Sequence, residues 1–131
     1  MIANLGTETI LNRLCLHHTK FYLTGSRYFG NHQAESDYDF LTELTKGIDQ
    51  DLERMGFKFL TSQAYLDLTT VRVYRHPGDS DSPGGYDVQI CRDIDKKLRA
   101  HEIIKQDLLG VYLTATKEGR GKLWNFLLKG I

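Results

Sequence analysis

The residues best suited to chemistry in this sequence are two aspartates, Asp37 and Asp39, which are separated by one tyrosine. On a β-strand, alternate side chains point to the same face, roughly 6.5–7 Å apart along the chain. Tyr38 and Phe40 would then point to the opposite face, into a core. Two carboxylates fixed on one face of a strand suit a hard divalent cation such as Mg²⁺, which prefers oxygen ligands. The spacing therefore predicts a metal site on this strand.

A short apolar run that ends in glycine precedes the two aspartates. Residues 21–24 predict a buried strand, because the run is short, rich in aromatic residues and stopped by Gly25. Gly25 lets the backbone turn sharply and lets a ligand approach with no Cβ in the way. Ser26 adds a hydroxyl group and, with its neighbours, backbone N–H groups. Such a junction between a strand and a turn is suited to binding phosphate oxygens.

Together these residues resemble the motif of a known family. Gly-Ser, a short linker and Asp-x-Asp followed by an apolar residue are similar to the nucleotidyltransferase superfamily that includes DNA polymerase beta, and most resemble its small, single-domain members. The matching residues are Gly25, Ser26, Arg27, Gly30, Ser36, Asp37 and Asp39. The resemblance implies a Mg²⁺-dependent enzyme that moves a nucleoside monophosphate from a nucleoside triphosphate, with ATP favoured, to a hydroxyl acceptor and releases pyrophosphate.

Transfer chemistry with two metal ions usually needs a third carboxylate. Asp87 is the candidate, because it lies in a predicted strand between Tyr86 and Val88, which point the other way into a core. In the resembled family the third acid occupies a strand of this kind. The resemblance therefore implies that Asp37, Asp39 and Asp87 are both the catalytic residues and the ligands of two Mg²⁺ ions, for which Mn²⁺ can substitute. Asp87 would also be the general base for the acceptor hydroxyl.

The resemblance assigns nucleotide binding to the turn after the first strand. Gly25 allows close approach, Ser26 holds the β- or γ-phosphate, and Arg27 neutralises triphosphate charge. Small relatives often carry another arginine two residues further on, where this chain has Phe29. The phosphate-binding turn of this chain is therefore expected to have one cation fewer.

Two arginines and a glutamine lie near Asp87 in the predicted hairpin. Arg72 and Arg75 fall on opposite faces of the neighbouring strand by alternation, and the pattern leaves open which one faces the site. Gln89 shares the face of Asp87 and is a candidate contact for the nucleotide or the acceptor.

The order of elements predicts one α/β (α+β) domain over residues 1–131, with the nucleotidyltransferase fold. We expect a mixed, twisted sheet with helices packed on one face and the carboxylates at one end. Strands are predicted at 21–24, 37–44, 57–60, 71–75 and 86–90, and helices at 7–18, 26–30, 46–55, 93–106, 107–116 and 119–129. Asp93 is predicted to cap the helix at 93–106. The apolar stripe that includes Trp124 favours a core position over a surface for base stacking.

Composition narrows the class of protein further. Seventeen Lys and Arg balance seventeen Asp and Glu, and this argues against sequence-independent binding of duplex nucleic acid, which needs a basic surface. Cys15 and Cys91 have no metal-binding spacing and are expected to be reduced core residues. No stretch approaches the ~20 apolar residues of a membrane helix, so we expect a cytoplasmic protein with no membrane partner.

The sequence leaves open both the acceptor and the class of function. The acceptor could be a tyrosine or serine of a protein, a small molecule such as an aminoglycoside, or an RNA 3′ end. The resemblance favours a protein, since small relatives often act as antitoxins that add AMP to a partner toxin. The alternative function is a non-catalytic nucleotide-binding or protein-interaction module that keeps the fold. Apolar helical faces near the carboxy-terminus also make a homodimer possible.

Overall fold

The computed structural model describes residues 20–62, 69–78 and 83–130. Within these ranges the strands are β1 (Tyr22–Thr24), β2 (Tyr38–Glu43), β3 (Lys58–Thr61), β4 (Thr70–His76) and β5 (Tyr86–Cys91). The helices are α1 (Gly25–Phe29), α2 (Ile48–Arg54), α3 (Ile94–Asp107), α4 (Leu109–Thr114) and α5 (Lys117–Gly130). The predicted helix at 7–18, together with Cys15, lies outside the described residues.

The strands form one mixed sheet in the order β1-β2-β5-β4-β3. The central pair, β2 and β5, is parallel, and the other three pairs are antiparallel. A parallel pair needs a long crossover, and residues 44–85 supply it with α2, β3 and β4. The predicted antiparallel hairpin of β4 and β5 is confirmed, as is the mixed α+β fold class.

One face of the sheet carries the main hydrophobic core. Phe40 of β2 and Val88 of β5 are fully buried there, and Ile48 and Leu52 of α2 pack against them. The spacing of these two α2 residues places both on one side of the helix, which explains why this segment folds as an amphipathic helix. This helix lies behind the carboxylates, as expected.

The opposite face, which carries the aspartates, packs against α3. Leu41 and Cys91 are fully buried, and Ile94 at the start of α3 packs on them. The burial of Cys91 agrees with its prediction as a core residue. Helices therefore lie on both faces, whereas the sequence predicted them on one. The alternation of apolar residues identifies the buried positions of a strand, but it does not show which helix covers each face. The sequence pattern therefore did not predict that α3 covers the face of the aspartates.

The last three helices form a second core with α1. Its buried residues are Phe29, Ala100, Ile104, Tyr112, Trp124 and Leu128. Trp124 is 3% exposed, which confirms its prediction as a core residue. None of the helices in the described ranges is long and apolar enough to cross a membrane.

The start of α3 differs from its prediction in one detail. Asp93 occupies the capping position, but it makes no side-chain capping hydrogen bond and its φ of 53° is left-handed. A side-chain cap normally needs an extended backbone at this position. The helix begins where the sequence predicted, while the expected capping contact is absent at this described residue.

A polar contact joins α2 to β4 on the core side of the sheet. Arg72 donates from Nε and Nη2 to the two carboxylate oxygens of Asp49, both at 2.8 Å, and the Tyr74 hydroxyl donates to Oδ2 at 2.7 Å. Burial alone would raise the pKa of Asp49, but the bonds from Arg72 and Tyr74 outweigh it and leave that pKa below its usual value. Arg72 therefore faces away from the aspartate site.

We predict that Asp49→Asn and Arg72→Met are coupled in a double-mutant cycle. Each change removes the charge-assisted bonds, so the coupling in unfolding free energy should be about 1–2 kcal/mol. Because the pKa of Asp49 is lowered on folding, the coupling should be present at neutral pH, should begin to fall below about pH 4, and should be lost as pH falls through the lowered pKa of Asp49. Urea unfolding at pH 7 and pH 3.5 measures both effects. Additive effects of the two changes at pH 7 would contradict the prediction.

Candidate metal and nucleotide site

Three carboxylates converge at one end of the sheet. Asp37, Asp39 and Asp87 each offer an oxygen, and these oxygens lie within 4.8 Å of one another. Asp39 and Asp87 stand opposite each other in the parallel register of β2 and β5. Asp37 lies one residue before β2, rather than within it as predicted. The structure therefore brings together the three acids singled out in the sequence, and their hard oxygen donors fit Mg²⁺.

Burial and the neighbouring acids raise the pKa values of Asp39 and Asp37. The pKa of Asp39 is raised to about 8, by burial first and then by the negative charges of Asp37 and Asp87. The pKa of Asp37 is also raised, by burial, by its hydrogen bond with Asp87 and by the charge of Asp87, although Arg75 opposes the shift. At neutral pH a proton on Asp39 thus relieves part of the repulsion, and a bound cation would replace that proton.

Gly25 is in direct contact with the carboxylate of Asp39. Its φ is +69°, and a Cβ at this position would overlap Oδ2 of Asp39 and lie 3.0 Å from its Cγ. Thr24, the residue before it, pairs with Asp39 in the register of β1 and β2. Both the backbone conformation and the available space therefore require glycine at this turn.

The other two predicted nucleotide-binding residues follow in α1. Ser26 is half-buried and opens the first turn of this short helix. Arg27 donates to the carbonyl oxygens of Ser36 at 2.9 Å and Ala34 at 3.1 Å, and its guanidinium lies 4.0 Å from the ring centre of Tyr38. The guanidinium of Arg27 therefore fixes the loop that leads to Asp37. Its role in nucleotide binding stays a prediction.

The chain that enters Asp37 packs against the chain that enters β5. A Cβ at Gly84 would overlap the carbonyl oxygen of Glu35 and lie 2.8 Å from the backbone nitrogen of Asp37. The backbone of Tyr38 donates to Gly85 O at 2.9 Å. These backbone contacts set the distance between Asp37 and the start of β5.

Arg75 is the arginine that faces the acids. It stands opposite Asp87 in the β4–β5 register, and its Nη1 lies 2.8 Å from Oδ1 of Asp87 and 3.5 Å from Oδ2 of Asp37. Its Nη2 donates to Gly84 O at 2.7 Å. Gln89 lies on the same face as predicted, and its side-chain oxygen accepts a bond from Thr70 at 3.1 Å.

A cavity of about 480 Å³ opens beside Asp39 and Asp87, between the sheet and the carboxy-terminal helices. Its lining residues are Thr24, Gly25, Asp39, Leu60, Thr61, Val73, Asp87, Gln89, Lys97, Tyr112 and Trp124. Lys97 is only 2% exposed, and its ammonium lies 4.3 Å from the ring centre of Trp124. Sequence reasoning missed Lys97 and Tyr112, because the cavity exists only once distant helices have packed together.

A buried histidine connects the glycine turn to α3. Nδ1 of His101 lies 2.8 Å from the carbonyl oxygen of Lys97, and Nε2 lies 2.6 Å from the hydroxyl of Thr24. A carbonyl oxygen can only accept, so Nδ1 donates to it, and a hydrogen bond joins Nε2 to the Thr24 hydroxyl. His101 therefore fixes the last residue before Gly25.

Comparison with known proteins gives two structural matches. No protein-family model and no curated protein matches the sequence. Two structures of Cid1 poly(U) polymerase are similar to this one. A mutant bound to MgATP has a TM-score of 0.47 at 17% identity, over 79% of this chain and 37% of that chain. The second has a TM-score of 0.46 at 18% identity, over 92% of this chain and 39% of that chain.

The chain thus spans less than two-fifths of either matched structure. At these identities and TM-scores the matches assign no activity to this chain.

We predict that Gly25→Ala weakens binding of Mn²⁺, used as a probe for Mg²⁺, because the added Cβ must displace the Asp39 carboxylate. The expected loss of affinity is about 10- to 100-fold. Gly47→Ala is the matched control, since Gly47 also has a positive φ of +86° but nothing lies within 4 Å of its Cβ position. Both variants should lose about 1 kcal/mol of stability from backbone strain. Calorimetric titration measures the affinities, and equal affinities in the two variants would contradict the prediction.

We also predict that the metal-free protein becomes less stable as pH rises from 5 to 8. The pKa of Asp39 is higher in the folded state than in the unfolded state, so its contribution is fully present below about pH 4 and lost as pH rises through about 8. The loss in unfolding free energy should be at most about 4 kcal/mol between pH 5 and pH 8. Urea unfolding in the presence of a chelator measures it. Asp39→Asn should flatten the profile, and an equally steep profile in this variant would refute the assignment.

Proposed function

We propose that this chain is a Mg²⁺-dependent nucleotidyltransferase, which moves a nucleoside monophosphate from a nucleoside triphosphate to a hydroxyl acceptor. One observation carries the proposal: Asp37, Asp39 and Asp87 converge within 4.8 Å, and Asp39 touches the Gly25 turn. An open cavity lies on the same face of the sheet. Acids, a glycine turn and a cavity at one place are the parts that phosphate-transfer chemistry requires.

In this proposal all three acids hold the metal ions, and one of them also accepts a proton. Two Mg²⁺ ions held by the three carboxylates would neutralise charge on the entering and leaving oxygens when bound. Asp87 accepts the proton of the acceptor hydroxyl. That oxygen then bonds to the α-phosphorus while the bond from the α-phosphorus to the bridging oxygen of the β-phosphate breaks. Pyrophosphate leaves with the electron pair of the broken bond.

The remaining residues position the nucleotide. The turn at Gly25 and Ser26 receives the phosphates, and Arg27 acts through the loop that it orders. The cavity beside Asp39 receives the nucleoside, since the rings of Tyr112 and Trp124 contribute to its wall. Aromatic walls with a few polar groups are typical of sites that bind small organic ligands.

For the acceptor we propose a hydroxyl of a partner protein in the cytoplasm, and for the nucleotide we propose ATP. The charge balance of the whole chain is zero, which disfavours a long nucleic acid as acceptor. A small-molecule acceptor or an RNA end would be identified by the same labelling experiment.

The test is transfer of label from α-³²P nucleotides. The protein is incubated with labelled ATP, GTP, CTP or UTP and Mg²⁺ in a cell lysate, beside the double variant Asp37→Asn/Asp39→Asn. The intact protein should label an acceptor that the variant leaves unlabelled, because the variant lacks two metal-binding carboxylates. Asp107→Asn, an exposed residue at the end of α3, is the matched control and should label normally. Equal labelling by the double variant would refute the proposal.

The second candidate function is a non-catalytic nucleotide-binding or interaction module. The contact of Arg75 with two of the three acids favours it, because the guanidinium occupies oxygens that a catalytic metal would use. Absence of label with all four nucleotides, together with calorimetric binding of Mg-ATP, would support this module over the enzyme.

A further inference from the structure

Arg75 brings a permanent positive charge into the aspartate cluster. The antiparallel register of β4 and β5 places it opposite Asp87. Its Nη1 contacts Oδ1 of Asp87 at 2.8 Å and lies 3.5 Å from Oδ2 of Asp37. One guanidinium nitrogen thus lies against two of the three carboxylates that converge at this end of the sheet.

The second nitrogen of the guanidinium is held by the backbone. Nη2 of Arg75 donates to the carbonyl oxygen of Gly84 at 2.7 Å. The Gly84 segment also packs against the backbone nitrogen of Asp37. The guanidinium therefore bridges the chain before β2 and the chain before β5, and it keeps Asp37 and Asp87 together against their mutual repulsion.

The side chain of Arg75 also has room to move. It is 39% exposed, compared with 33% for Asp37 and 21% for Asp87. An exposed guanidinium can leave a carboxylate at a modest cost, because water replaces the bonds that it loses. The arrangement thus combines a close contact with the acids and an open route away from them.

We propose that Arg75 is a positioning residue that serves as an internal counter-cation. It holds Asp37 and Asp87 in place before a metal ion binds, and it is displaced from their oxygens when the ion binds. The inference rests on the metal site of the proposed function, but not on turnover. Because the cation must compete with the positive charge of Arg75, the site binds a divalent cation weakly in the absence of nucleotide.

The test measures Mn²⁺ binding without nucleotide, by the electron paramagnetic resonance signal of the free ion. Arg75→Met should tighten Mn²⁺ binding by about tenfold or more, because the competing charge is gone. The same variant should lower the melting temperature of the metal-free protein, since the acids are left without their counter-charge. Arg75→Gln, which is also neutral but polar, should shift the affinity in the same direction and serves if the methionine variant does not fold.

Two variants separate this role from general effects. Arg75→Lys keeps the charge but loses the forked geometry, so its Mn²⁺ affinity should stay within about threefold of that of the unmodified protein. Arg72→Met removes an arginine from the same strand, but on the face that contacts Asp49. It should lower stability without changing Mn²⁺ affinity.

The outcomes distinguish this inference from the proposed function. Unchanged or weaker Mn²⁺ binding in both neutral Arg75 variants would overturn the inference while leaving the enzyme proposal in place. Tighter binding in these variants, without any labelled product in the transfer assay, would support the counter-cation and remove the enzyme proposal. Absence of Mn²⁺ binding in every form of the protein would overturn the counter-cation role together with the metal site.

Discussion

The parallel pairing of β2 and β5 is the constraint on which the site depends. Because these strands run side by side in register, Asp39 and Asp87 meet although 48 positions separate them in the sequence. A shift of one residue in this pairing would turn one acid to the core face, since side chains alternate along a strand. The buried residues Phe40 and Val88, adjacent to the two acids, oppose such a shift because it would expose them.

Convergence of three acids is unfavourable for folding, and the molecule offsets it locally. The raised pKa of Asp39 favours a proton on this carboxyl near neutral pH, and Arg75 supplies a positive charge to Asp87 and Asp37. On the opposite face the carboxylate of Asp49 is paired with Arg72, and its pKa is lowered. The sheet thus separates a stabilising core face from a face on which three neighbouring acids are held together at a cost in stability.

The sequence predicted those parts of the site that depend on local patterns. The two aspartates of the Asp-x-Asp motif and Asp87 followed from alternation and from the resemblance, and the glycine turn followed from residue type. The sequence did not show which of Arg72 and Arg75 faces the acids, because this depends on the β4–β5 register. That register includes an irregularity between Thr70 and Arg72 and spans a long connection. Lys97 gave no signal, because only tertiary packing brings α3 to the cavity. Long-range register and helix placement are global properties that a local pattern does not encode.

The carboxy-terminal helices form part of the cavity on the face of the sheet that carries the three acids. A sheet face without cover would leave the acids in bulk water, where a charged ligand gains little from them. Complete cover would leave no cavity beside them. Helix α3 packs on the sheet at Leu41 and Cys91, which follow the acids along β2 and β5, while Tyr112 and Trp124 line the cavity together with Asp39 and Asp87. The hydrogen bond between Thr24 and His101 joins helix α3 to the residue before the glycine turn. A buried polar contact thus links the helix that lines the cavity to the glycine turn, and it adds the directional preference that hydrophobic packing alone lacks.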